Sequence, residues 1–164
     1  MKLAIMVGIP LSGKSSFCKQ MMEQGWSVIN PDTFRQVYSG TTNRLLDKPD
    51  ERKVWDCVYL SAESLLAYGH DVLIDATNTN CWSRKSWKDM ADKYDLELEI
   101  YVLPFDVDLS IKRNLEIGRF CDGHGIPTDE VIKKFEKNYV IPDETEGKII
   151  NVDNDWSKKQ EKTK

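Results

Sequence analysis

The sequence predicts an α/β domain with a central parallel sheet of four to five strands flanked by helices. Three observations carry this. Short apolar runs alternate with stretches of helical period along most of the chain, the pattern of a sheet whose crossover connections are helices. A glycine-containing turn, Gly8-Ile9-Pro10-Leu11-Ser12-Gly13-Lys14-Ser15, stands directly behind the first apolar run. Two later runs lead into aspartates, Asp32 and Asp75, at the sheet end where open parallel sheets bind their ligands.

Taken in order, Leu3 to Val7 is the continuous apolar run that a strand buried on both faces requires. From Ser15 to Gln24, Phe17, Met21 and Met22 recur at helical spacing, and Gly25 ends the helix. Trp26 to Asn30 reads as the second strand, and Asp32 to Tyr38 as a short helix with Asp32 near its start. Ser39 to Asp50, rich in Gly, Thr, Asn and Pro, has no period and reads as a mobile loop. From Glu51 to Tyr68, Val54, Trp55, Val58, Tyr59, Ala62, Leu65 and Leu66 share one face of a long helix stopped by Gly69.

Asp71 to Asp75 is the third strand, and Ala76-Thr77-Asn78-Thr79-Asn80 turns the chain into a helix over Ser83 to Tyr94, with Trp87, Met90, Ala91 and Tyr94 on one side. Leu96 to Leu103 forms the fourth strand, stopped by Pro104. Asp106 to Ile117 is helical, its pair Lys112-Arg113 turned away from Leu109 and Leu115. Gly118 to Pro127 sets three glycines and a proline around Arg119 and reads as a lid. Asp129 to Asn138 is the last helix and Lys148 to Val152 a strand at the sheet edge. The polar stretch from Asp153 to Lys164 reads as a flexible tail, leaving one domain over residues 1–152.

At 164 residues the chain has the length of one compact domain. Its net charge of −4 argues against gripping nucleic acid through a broad basic face, though local clusters exist: Arg84, Lys85 and Lys88 among Trp82 and Trp87, then Lys112, Arg113 and Arg119, then Lys133, Lys134 and Lys137. Each cluster also reads as a solvated helix face. The four cysteines are scattered, with neither zinc spacing nor a disulfide framework, so a reducing cytoplasm is expected. No run reaches membrane-spanning length and the first residues lack a signal-peptide pattern, so no membrane partner is expected.

The turn at Gly8 matches the phosphate loop G-x-x-x-x-G-K-[ST]. Glycines let the backbone of the cofactor-binding run Gly8, Ile9, Pro10, Leu11, Ser12, Gly13, Lys14, Ser15 and Ser16 wrap a polyphosphate so that successive N–H groups point inward, and the following helix aims its positive end the same way. In that reading Lys14 reaches the β- and γ-phosphates while Ser15 and Asp75 serve Mg²⁺. Asp32, behind the second strand, should converge with Asp75 and the phosphate loop on one crevice. Arg119, on the lid, is placed to stabilise charge on a transferring phosphoryl group.

The phosphate loop, Ile29-Asn30-Pro31-Asp32-Thr33-Phe34-Arg35 and Ile74-Asp75-Ala76-Thr77-Asn78 together resemble the kinase domain of polynucleotide 5′-hydroxyl kinases, the phage and animal end-healing enzymes. Arg119-Phe120, His124 to Pro127 with Asp129, Ile141-Pro142 and Glu146-Gly147 extend the likeness to nearly residues 2–152. The resemblance implies a P-loop kinase fold and transfer of the γ-phosphate of ATP to a 5′-hydroxyl end of DNA or RNA. It assigns Asp32 as general base, Lys14 and Arg119 to catalysis and ATP, Ser15 and Asp75 to Mg²⁺, and Arg35, Thr77, Asn78 and Arg84 to the acceptor. Pro31 replaces an arginine common in such kinases, and Ala76 replaces the phage aspartate, so Asp75 follows the animal pattern. The phosphatase domain often fused to them has no room in these residues. Two other readings stay open: a small-molecule kinase acting on a sugar, nucleoside or antibiotic hydroxyl, which the acidic charge favours, and a nucleotide-binding regulator without transfer activity.

Overall fold

The computed structural model describes residues 1–40, 48–117 and 129–152. Five strands form one sheet: β1 (Leu3–Val7), β2 (Ser27–Ile29), β3 (Val72–Ile74), β4 (Leu98–Val102) and β5 (Lys148–Asn151). Their order is β2-β3-β1-β4-β5 and every pair is parallel. All five residues of β1 are buried, as its unbroken apolar run requires of a central strand. The chain leaves β1 toward β3 and β2 and returns to β4 and β5 on the other side. This reversal of winding opens a crevice at the carboxyl ends of the strands.

Among the described residues six helices flank the sheet: α1 (Lys14–Glu23), α2 (Pro31–Ser39), α3 (Lys48–Ala67), α4 (Cys81–Lys93), α5 (Val107–Ile117) and α6 (Asp129–Lys137). The alternating faces of β1 build two cores. Leu3, Ile5 and Val7 pack with Val58, Ala62 and Leu66 of α3 and Trp87, Met90 and Ala91 of α4. Ala4 and Met6 pack with Cys18 and Met21 of α1 and with Leu103. The aromatics of α3 join the first core, Tyr59 stacking between Trp55 and Trp87 at centroid distances of 6.1 and 4.6 Å. Helix α3 stops where Gly69 adopts φ 83° and donates to Leu66 O, with His70 N–H reaching Leu65 O.

The expected strands and helices are all present, with ends displaced by a few residues. Helices α2 and α4 begin at Pro31 and Cys81 because Asn30 and Asn80 cap them through their side chains, and proline suits the first helical position. One helix is turned differently from expectation. The buried residues of α5 are Ser110 and Asn114, whereas Leu115 and Ile117 are exposed and Arg113 is half-buried. The Ser39 to Asp50 loop is shortened by α3, which starts at Lys48, and residues 41–47 lie outside the described residues. So do the expected lid, Arg119 included, and the tail from Asp153.

The basic and aromatic cluster on α4 divides. Trp87 is buried, Trp82 is 81% exposed, and Lys85 and Lys88 pair with Asp89 and Asp92 one turn on. Arg84, assigned from the resemblance to the acceptor, is only 1% exposed. Its guanidinium donates to both Glu146 carboxylate oxygens at 2.5 and 2.8 Å, to Asn78 O at 3.1 Å and to Val140 O at 3.0 Å. Here Arg84 pins the approach to β5 against the start of α4, with its planar fork engaged by internal acceptors. Gly147 follows Glu146 because a Cβ there would lie 2.3 Å from Leu98 O.

Breaking a buried ion pair from one side leaves an uncompensated charge, which costs about 3–5 kcal/mol, whereas exposed pairs contribute about 1 kcal/mol or less. Glu146→Ala is therefore expected to lower the unfolding free energy by that larger amount, read as a lower urea midpoint at unchanged slope, and Lys85→Ala to leave the midpoint almost in place. Equal effects from the two would contradict the structural role of Arg84.

Candidate active site

The loop after β1 is held from both sides. Gly8 N–H donates to Thr77 O at 3.0 Å, Asn78 Nδ2 donates to Met6 O at 2.8 Å, and Leu103 N–H donates to Val7 O at 2.9 Å. Thr77 and Asn78, assigned to the acceptor from the resemblance, thus show another task. Asn78 is 3% exposed with φ 44°, a left-handed conformation that asparagine tolerates, and its amide satisfies a buried strand-end carbonyl. Thr77 is half-buried and offers its carbonyl to the loop.

Within the loop, Gly13 adopts φ 107° and Leu11 φ 63°, so the chain coils in the left-handed region before α1 begins. A Cβ on Gly8 would lie 2.6 Å from Ser12 Oγ, which is how closely the loop folds on itself. Helix α1 opens at Gly13 with no side-chain cap and no acidic residue in its first turn. In contrast, α2 and α4 carry asparagine caps. An uncapped helix start approached by a coil of backbone amides is a site for an anion. Ser12 Oγ, buried in the same loop, has no hydrogen-bond partner among the described residues.

Lys14 Nζ donates to Gly8 O at 3.0 Å and Ile9 O at 2.8 Å. Enclosure lowers its pKa to about 8, against the opposing pull of Asp75, then Cys18 and Asp32. The lysine thus lies within electrostatic reach of both predicted carboxylates. Arg113 also addresses the loop, donating from Nη1 to Leu11 O at 3.0 Å. Sequence period had turned Arg113 toward solvent, because the polar inward face of α5 carries no apolar signal.

Asp75, 8% exposed, follows β3 directly. Burial raises its pKa, opposed by Lys14 and by hydrogen bonds from Asn30 and the Cys18 thiol. The thiol in turn is pushed up, first by burial and then by Asp75, which keeps Cys18 protonated and unreactive. Ser15 is exposed in the first turn of α1. A hydroxyl and a carboxylate are hard oxygen donors suited to Mg²⁺. Among the described residues no cluster of three His, Cys, Asp or Glu side chains could hold a metal, so such an ion would complete its shell with phosphate and water oxygens.

Asp32 lies in the first turn of α2 with its side chain 51% exposed. Arg35 Nη1 donates to Asp32 Oδ1 at 2.5 Å, while its Nε and Nη2 form a fork on Glu51 at 2.8 and 2.9 Å. Burial opposes the charge of Arg35, but Glu51 and Asp32 outweigh it and hold the guanidinium above its ordinary value. Two residues of this network, Glu51 and Asn30, are not assigned to the site by the sequence. Glu51 sits at the start of a long helix, where an acid reads as a favourable first-turn residue.

The structure thus gathers Lys14, Asp75, Asp32 and Arg35 at the carboxyl ends of β1, β2 and β3, with Gly8 to Ser16 between them. It keeps Arg84 and Asn78 in supporting positions.

Residues 3–119 match the family described as AAA domain. A chain of the Pnkp1/Rnl/Hen1 RNA repair complex is similar, with 29% identity and a TM-score of 0.68 over 84% of this chain and 43% of that one. This chain therefore spans less than half the length of that relative. A gluconokinase from Sinorhizobium meliloti 1021 shares the fold at 19% identity and TM-score 0.62, covering 96% and 86% of the two chains. The Mycobacterium tuberculosis APS kinase CysC, solved with AMPPNP and APS, does so at 16% identity and TM-score 0.63, covering 98% and 94%. No protein of curated function matches the chain. With its phosphate loop, parallel sheet and more than half its length matched, the chain belongs to the AAA domain family and has the fold of the P-loop kinases.

Proposed function

We propose that this protein transfers the γ-phosphate of ATP to the 5′-hydroxyl end of DNA or RNA. The observation that carries the reading is the placement of an exposed carboxylate, Asp32, within electrostatic reach of the loop lysine, Lys14. Phosphoryl transfer passes through a loose transition state, so catalysis is mostly positioning and charge stabilisation. The acceptor oxygen bonds to the γ-phosphorus, its proton passes to Asp32, and the bond from that phosphorus to the β–γ bridging oxygen breaks, releasing ADP. Loop amides, Lys14 and Arg113 hold the donor, and Arg119 joins them as the residue proposed for the lid. Arg35, steered by Glu51, serves the acceptor side. The 29% identity to a chain of an RNA repair complex supports a polynucleotide end as acceptor and a role in nucleic-acid repair.

One observation favours a second reading, a small-molecule hydroxyl kinase. Arg84 is buried and Arg35 is engaged by two carboxylates, so the acceptor side is less cationic than a polynucleotide reading assumes. Incubation with γ-labelled ATP and either a 5′-hydroxyl oligonucleotide or a panel of sugars, nucleosides and antibiotics decides between them. Label on the oligonucleotide end supports the proposal; label only on a metabolite overturns it.

Two further outcomes are expected. Asp32→Ala lowers turnover by about 10²–10⁴-fold, the usual contribution of a general base, with ATP affinity kept. Near-normal turnover would remove Asp32 from that role. The second outcome concerns Lys14. The enclosed ammonium loses its proton near pH 8, below the ordinary lysine value of 10.5, so the cost of burying its charge is full below about pH 8 and is relieved as pH rises toward 10.5. A triphosphate beside it restores the charge. ATP binding at pH 9 should therefore take up close to one proton, roughly the lysine's missing share, and at pH 7 almost none. Calorimetry in buffers of different ionisation enthalpy measures this, and Lys14→Met should abolish the uptake.

A further inference from the structure

Asn30 stands between the two carboxylates of the site and touches both their chain segments. Its Oδ1 accepts the Asp32 backbone N–H at 2.8 Å, and its Nδ2 donates to Asp75 Oδ2 at 3.0 Å. The orientation of the amide is not free: the end facing a backbone N–H must be the acceptor, so the end facing the carboxylate is the donor. The same junction is tied through the backbone, where Asp75 N–H donates to Ile29 O at 2.9 Å.

The capping role alone does not select asparagine. Asn, Asp and Ser cap helices about equally well, with Thr close behind. Only asparagine adds a donor at its far end. Serine has nothing to offer Asp75, and aspartate would set a second carboxylate against it. The donor meets a carboxylate oxygen that burial disfavours in its charged form, and the Cys18 thiol supplies a further hydrogen bond to the same group.

We infer that Asn30 is a positioning residue that orients the Asp75 carboxylate toward Mg²⁺ and, through the same amide, ties that carboxylate to the start of the helix bearing Asp32. The inference rests on the kinase reading of the site, in that Asp75 is taken as a ligand of the ion. Partners in the outer shell of a metal site characteristically contribute tenfold to a hundredfold in metal affinity.

The test compares Asn30→Ser with Asn30→Ala and uses no acceptor. Serine keeps the cap and loses the arm to Asp75; alanine loses both. ATP binding is measured by calorimetry as a function of Mg²⁺ concentration, and stability by thermal melting. Asn30→Ser is expected to melt close to the parent yet to need about tenfold more Mg²⁺ for half-maximal tightening of ATP binding. Asn30→Ala should share the Mg²⁺ defect and also melt lower. In an Asp75→Asn background, Asn30→Ser should add no further Mg²⁺ defect, because its partner is already changed.

An Asn30→Ser variant with parental Mg²⁺ dependence would reduce Asn30 to a helix cap and overturn the inference, as would an undiminished Mg²⁺ effect of that substitution in the Asp75→Asn background. If the parent protein bound ATP without regard to Mg²⁺, the metal reading of Asp75 would fall and the inference with it. Failure of the parent to phosphorylate any 5′-hydroxyl end would sink only the acceptor assignment, and the Mg²⁺ titration would still decide the role of Asn30.

Discussion

Helix α1 starts with no side-chain cap and no acidic residue in its first turn, and this open positive end is the constraint from which the rest of the site follows. A helix start left this way is expensive unless an anion or water meets it. By contrast, α2 and α4 have their starts satisfied by Asn30 and Asn80. The opening at α1 is therefore local to the phosphate loop. In the loop as it stands, Lys14 and Arg113 bond to the carbonyls of Gly8, Ile9 and Leu11, so two cations rest on the backbone that would surround a triphosphate.

The supports around the loop show how a parallel sheet makes such a site rigid. Residues immediately beyond β3 and β4 hold the backbone at the end of β1 through Thr77, Asn78 and Leu103, while the end of β2 holds Asp75 through Ile29 and Asn30. Farther out, the Arg84–Glu146 pair fixes the path from α6 to β5 against α4. The side chains in the crevice stand at a strand end, as Asp75 does, or on the opening turns of α1 and α2, as Lys14, Asp32 and Arg35 do. Such rigid elements are a better platform than loops for chemistry that depends on positioning.

Much of this was legible in the sequence because the signals were local. The apolar run Leu3 to Val7, the spacing from Gly8 to Ser15 and the aspartate after Ile74 are each read from neighbouring residues alone, and the sheet and its binding end follow from their joint placement. What escaped was whatever depended on a partner distant in the chain. Arg84 reads as a surface cation until Glu146, far along the chain, is seen to enclose it. Asn78 reads as a ligand contact until the carbonyl of Met6 is seen to need a donor. Arg113 was turned the wrong way because α5 buries serine and asparagine, leaving no hydrophobic period to mark its inward face. Asn30 looked like a strand end, and its two-sided bonding emerges only when β2 and β3 lie side by side.

The central claim is that the phosphate loop holds the donor while Asp32 deprotonates an acceptor hydroxyl in line with it. A crystal structure with a non-hydrolysable ATP analogue, Mg²⁺ and a 5′-hydroxyl oligonucleotide tests this most directly. The account predicts the terminal hydroxyl within hydrogen-bond reach of the Asp32 carboxylate, about 2.6–3.2 Å, and aligned with the γ-phosphorus. An acceptor bound at the crevice with Asp32 turned away from its hydroxyl would contradict it.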